Sequence, residues 1–230
     1  MTELAQAMKV DAPTREWDRR EVQVGLLCGS IVATAIAGLI VSLVFPVSGD
    51  GGLFSYPAIA ADPSFYWVFF TLTGVNVALA VVPVALAAVL LAPARGWRWV
   101  TAGLPIALVG ASLYAVAVGG WAMVTYFAAG SAGLDPGAGA ALIASINGDT
   151  AHSLAPAAAG ALLVAIAVLV ISVGLWRSHN VPKWVIVLGI VGSIITFILP
   201  TSGIVGVVVE TPQALSSVLI GWYAWRYVHR

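Results

Sequence analysis

Residues Val22 to Val47 read VQVGLLCGSIVATAIAGLIVSLVFPV, with only Gln23, Ser30, Thr34 and Ser42 as polar side chains. A helix needs roughly 20 consecutive apolar residues to cross the hydrocarbon of a bilayer. This run supplies them without one charge. It therefore predicts a membrane span rather than a buried strand or a core helix. The polar, mixed-charge stretch before it has neither the short apolar region nor the flanks of a cleavable leader, so it reads as a cytosolic tail over residues 1–21.

The rest of the chain repeats the pattern. Further apolar runs extend from Phe65 to Ala92, Val100 to Ala128, Leu154 to Trp176, Trp184 to Leu199 and Pro212 to Val228. The last two are short. The expected fold is all-α, a single six-helix transmembrane domain over residues 22–230. Composition agrees: 60% of the 230 residues are hydrophobic and 9% are charged, against about 25% charged in a soluble domain. A mean hydropathy of +1.00 leaves too little polar surface to face water on all sides. Pro83 and Pro105 fall within or near the start of spans, where neighbouring helices can satisfy the carbonyls that proline frees. A kink is expected near Pro83.

Charge placement gives an orientation. The ten Lys and Arg residues form four groups: Lys9, Arg15, Arg19 and Arg20; Arg95 and Arg98; Arg177 and Lys183; Arg226 and Arg230. These groups occupy alternate ends of a six-span path. The connections 48–64, 129–153 and 201–211 contain no Lys or Arg. Loops rich in Lys and Arg stay in the cytosol, so both termini are expected there, in a multi-pass protein of the cell membrane. Trp97, Trp99, Trp176, Trp184, Trp222 and Trp225 flank the basic ends, while Tyr66, Trp67, Trp121 and Tyr126 flank the others, as aromatic belts do. The net charge of zero gives no sign of a nucleic-acid partner. The lipid bilayer is the expected partner, with a membrane protein or a second copy as further candidates.

One echo is internal. Gly38-LIVSLVF-Pro46-Val-Ser48-Gly49 matches Gly192-SIITFIL-Pro200-Thr-Ser202-Gly203 at a constant offset. Chance similarity of apolar helices ending in Pro and Gly is one account. A pair of related hairpins flanking an outer cavity is the other.

Chemistry-bearing residues are sparse. Cys28 is the single cysteine, so no internal disulfide or Cys-based metal site can form. Asp50, Asp62, Asp135, Asp149 and Glu210 make the outer side acidic. Asp149 and His152 are three residues apart, which puts them on one face of a helical turn. Asp149 can cap the helix that follows, or the pair can bind a metal ion. Asn76, with Thr71 and Thr73 a turn above, and Glu210 can line a polar path or bond between helices. Glu210 precedes Thr211-Pro212 and reads as an interfacial residue at the start of the last span, with a re-entrant 201–211 segment as the alternative. Gly25 and Gly29 form a GxxxG spacing that permits close helix packing. Ala138–Ile146 can form a short helix on the outer surface.

The stretch Leu175-Trp-Arg-Ser-His-Asn-Val-Pro-Lys-Trp-Val-Ile-Val-Leu-Gly189 resembles a feature of uncharacterised bacterial six-span integral membrane proteins. In these a helix end, a short basic loop, Pro, a basic residue and Trp lead into an apolar helix. The resemblance implies a fold and a location and supplies no activity or cofactor. No Walker, Rossmann, HExxH or nucleophile-elbow pattern occurs. No pair of histidines is placed for a haem within the bundle. Three functional classes stay open, in this order: a non-catalytic subunit or partner of a membrane complex; a small transporter or channel; a membrane metal-binding protein or enzyme using Asp149 and His152.

Overall fold

The computed structural model describes residues 19–45, 54–130, 134–199 and 202–230. Among them the chain is all-helical. The helices are α1 (Arg19–Val44), α2 (Tyr56–Ala61), α3 (Pro63–Leu91), α4 (Trp97–Ala129), α5 (Pro136–Gly148), α6 (Thr150–Ser178), α7 (Lys183–Ile198) and α8 (Gly203–Val228). Five of them, α1, α3, α4, α6 and α8, are long and apolar enough to cross a membrane. The fifth apolar run forms α7, which has only 16 residues and rises about 24 Å.

Helix boundaries follow local chemistry. Asp62 accepts a hydrogen bond from the Phe65 N–H and caps α3. Asp135 accepts from Gly137 and Ala138 and caps α5, the surface helix expected over Ala138–Ile146. Proline occupies the first turn of both, where its missing donor costs nothing. α3 and α4 run unbroken through Pro83 and Pro105.

The largest departure from the sequence reading is α8. It does not begin at Pro212 but at Gly203, so Pro212 lies inside a 26-residue helix. Residues 203–211 are its first turns rather than a re-entrant segment. Pro212 frees the Val208 carbonyl. The neighbouring Thr211 hydroxyl donates to the Val207 carbonyl at 2.6 Å, which supplies a polar contact where the ladder is interrupted.

Six helices close a ring in the order α1, α3, α4, α6, α7, α8 and back to α1, and α3 also touches α6 and α8. The closest pairing is α4 with α6. A Cβ on Gly110 would lie 2.8 Å from the Val164 nitrogen, and one on Gly160 would lie 2.6 Å from the Tyr114 nitrogen. Glycine there lets two backbones meet. The Gly25–Gly29 spacing is used differently: Gly25 faces Trp225, while Gly29 has nothing within 4 Å of a Cβ.

Two apolar cores stack along the ring. At the basic end Ile31, Leu91, Val100, Leu175, Val185 and Ile186 interlock. At the other end Phe54, Ile59, Phe69, Phe70, Val118 and Ile143 do so. There α2 and α5 lie across the helix ends. Asn147 clasps the Phe54 backbone in both directions, accepting its N–H at 2.9 Å and donating to its carbonyl at 2.7 Å.

Candidate functional site

Between the two cores a cavity of about 320 Å³ opens at mid-bundle, lined by all six ring helices. Its polar lining comes from Thr34 of α1, Asn76 of α3, Tyr114 of α4, Ser193 and Thr196 of α7, and Glu210, Gln213 and Ser217 of α8. Its apolar lining includes Ile31, Val77, Val81, Val164 and Val168.

Gly38 decides how the polar groups meet. A Cβ there would sit 3.3 Å from Asn76 Nδ2 and 3.8 Å from Glu210 Oε2. Without it, an amide from α3 and a carboxyl from α8 converge on the same bare patch of α1. One turn on, the buried Ser42 hydroxyl donates to the Gly38 carbonyl at 3.1 Å.

On α8, Glu210, Gln213 and Ser217 fall at i, i+3 and i+7, one helical stripe facing the cavity. Thr196 Oγ1 lies 3.2 Å from Gln213 Oε1, which leaves the Gln213 amide N–H groups free among the described residues. Asn76 has no hydrogen-bond partner among them. Ser193 Oγ is buried and unpaired. Buried polar groups are almost always satisfied, so this cluster is a set of donors and acceptors without a protein partner. The basic side chains of the described residues stand at helix ends, and none lines the cavity.

The internal echo reappears here. Ser42 donates to the Gly38 carbonyl on α1, and Thr196, its counterpart, donates to Gly192 on α7 at 3.0 Å. Both helices flank α8, so matched glycine-and-hydroxyl turns lie on two sides of it. The Pro-x-Ser-Gly turn at 46–49 and Pro200 lie outside the described residues.

The structure thus joins Asn76 and Glu210 and leaves the other expected site residues elsewhere. Thr73 bonds back to the Phe69 carbonyl at 2.8 Å, and neither it nor Thr71 lines the cavity. Asp149 and His152 do meet, with Nδ1 2.9 Å from each carboxylate oxygen, but at the surface. Their side chains are 56% and 90% exposed. Asp149 also accepts from the His152 N–H and caps α6. No group of three potential ligands occurs among the described residues. Gln213, Ser217, Tyr114, Ser193 and Thr196 were missed. The first two follow at helical spacing once α8 is extended back to include Glu210.

The chain matches no family model, no curated protein and no solved structure.

Proposed function

We propose that this chain is a six-span transporter of the cell membrane, with both termini in the cytosol, which carries a small organic cation of single charge. The observation that supports it best is Glu210, a carboxyl at bundle depth with no basic side chain beside it. A carboxylate removed from water needs a positive partner or a proton, and an ionisable group inside a membrane bundle marks a pathway or relay more often than a structural contact. The Asn76 and Gln213 amides supply hydrogen bonds for the cation's polar groups. Val77, Val81, Val164 and Val168 supply apolar contact for a short hydrocarbon. The volume falls at the small end of ligand sites. The grouping of all ten Lys and Arg at alternate ends supports the orientation and the sixth span. The cavity supports this reading over a non-catalytic subunit.

Uptake into proteoliposomes tests it, with a panel of alkylammonium ions from methylammonium to tetraethylammonium. One member should enter faster than into empty vesicles and should raise the melting temperature of the detergent-solubilised protein. Glu210→Gln should abolish both effects while the variant stays folded. Uptake that is unchanged in Glu210→Gln, or a protein that responds to no member of the panel, sinks the reading.

A further inference from the structure

We infer that the basic end of the bundle holds a second, separate site, a pocket for the phosphate of an anionic phospholipid between the α3–α4 and α6–α7 connections. Arg95, Gly96, Trp176, Arg177 and His179 line one hollow there. The fold forces this meeting. Gly96 has φ +93, and a Cβ on it would lie 2.1 Å from the Gly174 carbonyl oxygen. Only glycine lets the α3–α4 turn settle on α6 and bring Arg95 beside Arg177. Asn180 clips the second connection to the first by donating to the Leu91 carbonyl at 2.7 Å. His179 takes a left-handed conformation, φ 59, that few residues other than glycine adopt.

Arg95 and Arg177 bring two like charges to the rim of one hollow, and an anion bound there would offset their repulsion. No carboxylate among the described residues pairs with Arg95 or Arg177. Arg177 is steadied instead by the Trp99 ring, 5.3 Å from its guanidinium carbon, and Lys183 lies 5.0 Å from the Trp176 ring. Arginine's planar fork suits a phosphate's oxygens. The height of the pocket selects a lipid over a free ion. Trp97, Trp99, Trp176 and Trp184 are all exposed around it, and tryptophan collects at the headgroup level of a bilayer. Basic pockets between helix ends at that level receive anionic headgroups.

Native mass spectrometry of the intact chain in mild detergent tests this, with dioleoyl phosphatidylglycerol and dioleoyl phosphatidylcholine supplied equally. Phosphatidylglycerol adducts should predominate. Arg95→Gln with Arg177→Gln should lower their retention by more than about tenfold, at about fivefold per cation. Arg98→Gln removes a charge from the same end outside the pocket and should lower retention clearly less than Arg95→Gln does. If the double variant does not fold, Arg95→Gln alone should show the fivefold loss. Equal retention of the two lipids overturns the proposal. So does an equal effect of Arg98→Gln, and so does loss of the lipid adduct to millimolar inorganic phosphate, which would make this a free-anion site.

Discussion

Asp149 and Glu210 are both acidic, and burial separates their roles. Asp149 is exposed, and the His152 side chain, with help from the His152 N–H, holds its carboxyl below the ordinary value of 3.8. A folded value below the unfolded one means that the cap contributes fully above pH 3.8 and is lost as pH falls through the lower folded value. Amide exchange at residues 151–153 should therefore stay slow on acidification to that point and then accelerate, after correction for intrinsic rates. Asp149→Asn should remove the pH dependence. Exchange that ignores pH in the parent chain would show that the carboxylate does not hold the first turn of α6. Residue type and i, i+3 spacing made this pair legible in the sequence. They could not say that both side chains are exposed. For Glu210 the sequence reads the opposite way, since Thr211-Pro212 resembles a helix start. What it could not weigh was the Val-rich 204–209 segment, whose apolar side chains favour continuing the helix in a low-polarity setting over exposing backbone groups.

Helix pairing shows the same division at the scale of elements. Apolar length located every helix of the ring, with boundaries moved by a few residues except at α8. Which glycines serve packing was not legible, because GxxxG spacing identifies a face without identifying what it meets. Gly110 sits against the α6 backbone, whereas Gly29 faces open space. Gly110→Ala should destabilise the bundle by about 1–3 kcal/mol, as overpacked interiors do. Gly29→Ala should be neutral, or slightly stabilising through helix propensity. Unfolding of both variants by added denaturing detergent measures the difference, and equal midpoints would refute the assignment of the α4–α6 contact. The short surface helices divide similarly: the Ala138–Ile146 run announced α5, while Tyr56–Ala61 carried too few residues for a periodic signal and α2 was missed.

For the whole molecule, the arrangement is two apolar cores with a polar chamber between them. Hydropathy averages over a window and so reports the cores. The chamber depends on side chains from six helices meeting at one height, information that no single window contains. The ring is also uneven. The flank formed by α7 presents an apolar wall about 24 Å tall, against a hydrocarbon layer about 30 Å thick, while its neighbours α6 and α8 have 29 and 26 residues. If α7 is the sixth span, as proposed, lipid beside it would have to compress, and shorter acyl chains do so at less cost. Reconstitution across a series of phosphatidylcholines should give the highest melting temperature with chains of about 14 carbons and a lower one with about 20. A flat series would mean that α7 is shielded from lipid. On the six-span reading the short helix would act as a gauge of bilayer thickness, sorting this protein toward the thinner domains of any membrane of mixed composition.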